Sequence, residues 1–139
     1  EITLCDLFKP PFCNLVYERV TKQREGEPDG LLHLPDGGII AFSITARENQ
    51  NISMKKAAEI IAGAARYKPV ARVVVGRPDF HELAIKNANE IVADGINYKL
   101  LPIPVLAEMY VKLLENKLTP DEVISILKDT TGYITYKDL

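Results

Sequence analysis

One carboxylate in this sequence stands where it could do chemistry, although the same residues also form a common turn. Asp29 lies in Pro28-Asp29-Gly30, immediately before a predicted hairpin. Carboxylate oxygens are ligands that Mg²⁺ favours. Pro35-Asp36-Gly37 repeats the tripeptide as turn chemistry, because glycine supplies positive φ at no steric cost. The residues alone therefore leave two interpretations of Asp29, a metal ligand or a turn residue.

The elements around Asp29 predict an α/β domain. Residues 31–34 and the near-continuous apolar run 39–46 predict a hairpin whose second strand is central. Ser53 caps a predicted helix over Met54–Tyr67. Helices that alternate with strands imply a mixed sheet of at least four strands, covered by helices. The later elements are a strand at 70–75, a helix from the capping box Asp79–Glu82 to Ala93, a strand at 97–101 and helices over 104–115 and 119–128.

The order of these segments resembles the skeleton of the PD-(D/E)XK nucleases, and most closely the cleavage domain of FokI-type type IIS restriction endonucleases. Residues 27–32 resemble the first carboxylate motif, and Val73–Gly76 resembles the following core strand and its turn. Thr119–Val123 resembles the start of the last helix, and Gly132–Ile134 resembles the C-terminal end. The resemblance covers residues 27–136. It implies a restriction-endonuclease-like fold, with a central mixed sheet flanked by helices.

In that family two carboxylates hold Mg²⁺, and a lysine beside the second helps to orient the attacking water. The resemblance implies that Asp29 is the first carboxylate and that Ser43-Ile44-Thr45 occupies the Asp/Glu-x-Lys position. Ser43 and Thr45 share one face of the strand. Both carry hydroxyls, which are weaker ligands for Mg²⁺ than carboxylates. We therefore expect a degenerate catalytic motif at Asp29, Ser43 and Thr45, with Asp29 as a weak metal ligand.

A relocated site is the alternative. Glu48 and Glu18 are the candidate carboxylates, and Lys55, Lys56 and Arg47 are the candidate cations. Some members of the fold take a ligand from the neighbouring helix, and Glu48 follows Ser43 closely in the sequence. Such a site would bind Mg²⁺ and make the chain an active DNA endonuclease. On the residues alone, Lys55-Lys56 is more simply a solvated helix face.

Three functions remain open at this point. The first is a degenerate nuclease domain with a DNA-associated binding or assembly role, the second an active Mg²⁺-dependent endonuclease, and the third a protein–protein interaction module. A fold by itself does not choose among them. The net charge of −2 in 139 residues argues mildly against a dedicated nucleic-acid binder, which usually carries a basic excess.

The remaining expectations concern assembly and location. FokI-type domains act in pairs, so the resemblance implies a homodimer formed through the helix 54–67, whose small residues would allow close approach. Those residues would equally suit packing on the domain's own sheet.

Cys5 and Cys13 form neither a disulfide framework nor a zinc pattern. The sequence contains no secretion signal and no apolar run of membrane-spanning length, so we expect a cytoplasmic location and no membrane partner. We expect residues 1–139 to be a single domain, and a first residue of Glu is consistent with a piece of a longer protein.

Overall fold

The computed structural model of this chain describes residues 15–20, 27–46, 50–93, 97–130 and 132–139. The described residues form one six-stranded mixed sheet and four α-helices that flank it. The strands are β1 (Val16–Arg19), β2 (Gly30–His33), β3 (Ile39–Ala46), β4 (Ala71–Arg77), β5 (Tyr98–Pro102) and β6 (Gly132–Tyr133). The helices are α1 (Met54–Gly63), α2 (Glu82–Ala93), α3 (Ile103–Leu114) and α4 (Pro120–Asp129).

The six strands lie in the sheet in the order in which they occur along the chain. The first three form an antiparallel meander, and β3 to β6 run parallel. Because β2 runs against β3, the start of β2 lies at the same rim of the sheet as the ends of the parallel strands. We call the rim formed by the start of β2 and the ends of β3, β4 and β5 the carboxyl edge.

Two helical layers bury the two faces of the sheet. Helices α3 and α4 cover the face that carries Phe42, Val73 and Val75. Helices α1 and α2 cover the face that carries Val74 and Leu100. Side chains alternate between the faces along a strand, so β3 contributes apolar side chains to one layer and small ones to the other. This arrangement explains why β3 and β4 are near-continuous apolar runs in the sequence.

Local sequence signals predicted several elements correctly. The predicted hairpin is β2 and β3, and Ser53 caps α1, its Oγ accepting from the Lys56 N–H at 3.2 Å. The capping box at the start of α4 is confirmed in both directions: the Thr119 hydroxyl accepts from the Glu122 N–H, and the Glu122 carboxylate accepts from the Thr119 N–H. These signals depend on residues three or four positions apart, which is why the sequence alone contains them.

Two local predictions were wrong. The helix predicted over Met54–Tyr67 ends as an α-helix at Gly63, a 3-10 turn covers Ala65–Tyr67, and Lys68 adopts a left-handed φ of 49°. Helical structure of either kind stops at Tyr67, because Lys68 precedes Pro69 and a residue before proline disfavours the helical conformation.

The capping box predicted at Asp79 does not form, since α2 begins at Glu82. The Asp79 carboxylate instead accepts from the Phe80 N–H and from the hydroxyl of Tyr133. His81 takes the capping position, with its Nδ1 accepting from the Leu83 N–H at 3.1 Å. The Asp79 carboxylate therefore bonds to its chain neighbour and to a distant tyrosine, and not to the Glu82 N–H expected of a capping box.

Some predictions fall beyond the described part of the chain. Cys5, Cys13, Arg47 and Glu48 lie outside the described residues. In the part of the chain that the structure describes, no helix combines the length and the apolar character needed to cross a membrane.

Candidate functional site

Asp29 lies at the carboxyl edge, where main-chain hydrogen bonds hold it between β1 and β3. Its N–H donates to the Phe42 carbonyl at 2.8 Å, and its carbonyl accepts from the Val20 N–H at 3.0 Å. Its carboxylate oxygen Oδ2 accepts from the Ile44 N–H at 2.6 Å. The last residue pair of the β2–β3 ladder is Gly30 and Phe42. Beyond that pair, the Asp29 side chain continues the hydrogen bonding between the two segments by accepting from Ile44.

The two Pro-Asp-Gly segments behave differently. The Asp36 carboxylate accepts from the N–H of Gly38, two residues away, and Gly37 has the positive φ of 87° that the turn requires. The Asp29 carboxylate reaches Ile44, fifteen residues away. Asp36 therefore has the local turn role expected of the tripeptide, whereas Asp29 joins two strands.

Ser43 and Thr45 flank the residue that Asp29 contacts. Ser43 is buried and lies opposite Val74, and Thr45 is half-buried and lies opposite Gly76. Val74 belongs to the layer under α1 and α2, so both hydroxyl residues belong to that face. Ile44 alternates to the other face, and its side chain is 46% exposed. The three motif positions thus meet around one strand segment, with one carboxylate and two hydroxyls.

Glu18 does not join this group. Its Oε1 lies 3.5 Å from Nε2 of His33, the last residue of β2, whereas Asp29 precedes the first. In the strand register Glu18 lies opposite Leu31, two positions from both residues, and its side chain is directed to His33. The structure therefore brings Glu18 to His33 and away from Asp29.

The candidate lysines lie at the carboxyl edge. Lys55 is exposed and Lys56 half-buried, both in the first turn of α1. The segment before α1 is bonded to the segment after β4, since the Ile52 N–H donates to the Asp79 carbonyl and the His81 N–H donates to the Ile52 carbonyl. Within the described residues, no three His, Cys, Asp or Glu side chains come together in a way that could hold a metal ion.

A buried lysine forms a second polar cluster, which sequence reasoning missed. Lys99, on β5, is 0% exposed, and its Nζ donates to the Lys128 carbonyl at 2.7 Å and to Asn97 Oδ1. Asn97 Nδ2 donates to the same carbonyl at 2.7 Å. Burial lowers the pKa of Lys99 to about 8, and the nearby Asp129 carboxylate opposes that shift. We call Asn97, Lys99, the Lys128 carbonyl and Asp129 the Lys99 cluster.

The Lys99 cluster has a structural explanation. The last carbonyls of a helix lack partners within the helix, and the end of a helix carries a partial negative charge. Lys128 lies in the last turn of α4, so Lys99 and Asn97 satisfy one of these carbonyls. A lysine inside the apolar run Tyr98–Leu101 was the sequence signal that could have revealed a buried charge. Because Lys99 is fully buried, it is not accessible to a substrate.

Two further pairs join segments that are distant in the sequence. The Tyr133 hydroxyl donates to Asp79 Oδ1 at 2.7 Å, and burial together with this carboxylate raises the pKa of Tyr133. Glu27, 4% exposed, lies 2.8 Å from the Arg66 guanidinium, which also covers the Tyr67 ring. The Asp79–Tyr133 bond spans 54 positions, a separation that no local pattern predicts.

Comparisons with known proteins found no matching family model, no matching curated protein and no matching solved structure.

Proposed function

We propose that this chain is a restriction-endonuclease-like domain of the PD-(D/E)XK type that has lost DNA cleavage and keeps a DNA-associated binding or assembly role. One observation carries the proposal. The Asp29 carboxylate is bonded to the main chain of Ile44, and the residues on either side of Ile44 are Ser43 and Thr45. A carboxylate at the start of β2 thus meets the β3 segment where the resemblance implies the second motif.

The order of the elements supports the fold part of the proposal. An antiparallel meander of β1, β2 and β3 is followed by α1 and then by β4, which pairs in parallel with β3. Hairpin, buried strand, helix and parallel strand is the order that the resemblance implies. The carboxyl ends of strands are also where open α/β sheets commonly bind their ligands.

The donor set supports the loss of cleavage. Mg²⁺ is held by several oxygen ligands, with carboxylates the strongest among side chains. At the motif positions only Asp29 has a carboxylate, and its Oδ2 already accepts a main-chain hydrogen bond. Thr45 stands where the family carries lysine, so the motif also lacks its cation. Without metal and cation, neither the attacking water nor the charge that develops on the phosphate is stabilised there.

The cations of the carboxyl edge support a role in association with DNA. Lys55 and Lys56 lie in the first turn of α1, and Arg77 is the exposed last residue of β4. Lysine and arginine side chains contact phosphates without reading sequence, and that binding weakens steeply with salt. Three cations at one edge, which also carries Asp29 and Asp79, suit phosphate contact better than an apolar docking face would.

The cleavage test restores the motif. Wild-type chain is expected to leave double-stranded DNA intact with Mg²⁺ or Mn²⁺. Ser43→Asp combined with Thr45→Lys is expected to gain Mn²⁺ binding by calorimetry, and adding Asp29→Asn should remove it. Asp36→Asn is the matched control, since it alters the other Pro-Asp-Gly segment. Circular dichroism checks folding, because Ser43 is buried and a carboxylate there is costly.

The wild-type measurements keep the test decisive if the restored variant does not fold. Metal-dependent cleavage by wild type that is lost in Asp29→Ala would refute the proposed loss of activity. If Glu48→Ala also abolished that cleavage, the relocated site would be identified.

DNA association is tested by fluorescence anisotropy at low salt. Replacing Lys55, Lys56 and Arg77 together by alanine is expected to weaken binding and to lower the salt slope by about 3, one for each phosphate that is no longer neutralised. A control with the same charge change replaces three lysines elsewhere by alanine. They are Lys112 in α3, Lys117 after α3 and Lys137 after α4. Absence of wild-type binding would favour the protein-interaction role instead.

A homodimer through α1 belongs to the same proposal. Helix α1 buries Ala57 against its own sheet and leaves Ala58, Ala62 and the following Ala65 exposed. A specific dimer would bury on the order of 1,000 Å² or more. Sedimentation with and without DNA tests it, and Ala62→Glu should disrupt association while leaving the monomer folded. A monomer under both conditions would remove the dimer.

A further inference from the structure

Asp-Gly pairs are chemically fragile, and the two described pairs stand in opposite environments. The glycine nitrogen can attack the aspartate side-chain carbon, because glycine has no Cβ to obstruct the approach. Asp29-Gly30 and Asp36-Gly37 are both within the described residues, whereas Asp94-Gly95 lies outside them. The local structure of each described pair therefore determines how readily it reacts.

Asp36-Gly37 is exposed and held by local bonds. Asp36 and Gly37 lie in the turn between β2 and β3, and both are exposed. Hydrogen bonds of the turn run from the Gly38 N–H to Asp36 Oδ1 and from the Gly37 N–H to the Leu34 carbonyl, at 2.8 and 3.0 Å. Among the described residues, no atom beyond the two chain neighbours lies within 4 Å of where a Cβ of Gly37 would be. The turn therefore has room to change shape without moving the sheet.

Asp29-Gly30 is enclosed. Gly30 is buried in β2, and the hydroxyl and ring of Tyr17 occupy the space that a Cβ of Gly30 would fill. The Asp29 carboxylate is bonded to the Ile44 N–H across the strand pair. Ring closure there would require that bond to break within a strand pair of the sheet, where Tyr17 is packed against Gly30.

We propose that Asp36-Gly37 is a site of spontaneous isoaspartate formation, and that the fold protects Asp29-Gly30 from the same reaction. This inference does not depend on the proposed function. In the first step Gly37 N bonds to Asp36 Cγ, the Cγ–OH and N–H bonds break, and one water leaves. Water then opens the five-membered imide at either carbonyl. Opening between Gly37 N and the main-chain carbon of Asp36 gives isoaspartate, and opening at Cγ restores aspartate.

The product would alter the hairpin turn. The chain would pass through Cγ, which adds one methylene to the main chain, and the free carboxylate would sit on the former main-chain carbon. The bond from the Gly38 N–H to the side-chain oxygen would break, and Asp36 would move away from Lys128 Nζ, which lies 3.9 Å from its carboxylate near the end of α4. The exposed turn would then offer an isoaspartyl carboxylate, the group that protein isoaspartate methyltransferases recognise.

The test is to age the full chain at neutral pH and to map isoaspartate by electron-transfer fragmentation, which also separates the signal of Asp94. Asp36 is expected to convert at least about tenfold faster than Asp29, because the bonds that Asp36 must break lie within an exposed turn, whereas the bond from Ile44 to Asp29 crosses a strand pair of the sheet. Methyl labelling by an isoaspartate methyltransferase should fall in Asp36→Glu, whose longer side chain would have to close a six-membered ring.

The denatured chain is the matched control. In urea the two pairs should react at similar rates, since both are preceded by proline and only the fold distinguishes them. Equal rates in the folded chain, or faster conversion at Asp29, would overturn the inference. So would a folded chain in which Asp36 stays intact while the denatured chain converts at both positions.

Discussion

The Asp29 site and the Lys99 cluster are both polar groups set on the strands of one sheet, yet they differ in burial and in what surrounds them. Asp29 lies at the carboxyl edge, beside the strand segment that carries two hydroxyl residues. Lys99 is fully buried, and a helix end and an amide satisfy its ammonium group. The resemblance to nucleases drew attention to the first, and no motif pointed to the second. A motif therefore locates candidate chemistry, whereas burial determines which polar group the fold depends on.

The largest effect is expected at Lys99. Lys99→Ala should lower the free energy of unfolding by about 3 kcal/mol, because it leaves a cavity and removes a donor from the Lys128 carbonyl. Lys99→Met should cost less, since the side chain keeps its length, no buried charge remains and Asn97 still donates to that carbonyl. Urea denaturation measures both. Equal losses would show that packing around Lys99 matters little.

The pH dependence of stability sharpens the comparison. Burial lowers the pKa of Lys99 from 10.5 to about 8, so the unfolded chain binds more protons than the folded chain between those values. Stability should therefore rise with pH across that window, by up to about 3 kcal/mol from this residue, while the penalty for burying the charge is fully present below pH 8. The difference between wild type and Lys99→Met isolates this contribution from other titrating groups. A difference that does not change between pH 7 and 10 would contradict the assignment.

Asp29 should show a smaller effect, and one that differs from that of Asp36. Asp29→Ala leaves the Ile44 N–H without its carboxylate partner, at a cost of about 1–2 kcal/mol. Asp36→Ala removes a bond within an exposed turn and should cost about 0.5 kcal/mol. Denaturation midpoints compare the two, and Asp29→Asn should recover part of the loss because it keeps an acceptor. Similar costs at both positions would mean that Asp29 is only a turn residue.

Two tyrosines should each change stability by about 1 kcal/mol or less. Tyr133→Phe removes the hydroxyl that donates to Asp79 and should cost about 1 kcal/mol. Tyr98 is also buried, but its hydroxyl has no hydrogen-bond partner among the described residues. Tyr98→Phe should therefore be neutral or slightly stabilising, because an unsatisfied buried hydroxyl is removed. A Tyr98→Phe loss as large as that of Tyr133→Phe would indicate a bound water or another partner.

The correct local predictions involve residues that are close in the chain, and most of the wrong or missing ones involve distant partners. The hairpin turn, the cap of α1 and the capping box of α4 were predicted because their interacting residues are close in the chain. The cap at Asp79 was wrong: the helix begins at Glu82, and the Asp79 carboxylate accepts from Phe80 and from Tyr133, 54 positions away. The short edge strands β1 and β6 were not predicted as paired strands. Their few residues carry little periodicity, and their pairing depends on β2 and β5.

The sequence by itself determined the alternation of strands and helices, the β2–β3 hairpin and the position of Asp29 at the start of β2, since periodicity and turn chemistry act over a few residues. Only the tertiary structure decided that the Asp29 carboxylate bonds to Ile44, that Glu18 lies beside His33, and that Lys99 is buried against the end of α4. Each of these contacts joins strands, or a strand and a helix, that are distant in the chain. Their geometry depends on sheet register and on helix packing, which local residue patterns do not specify.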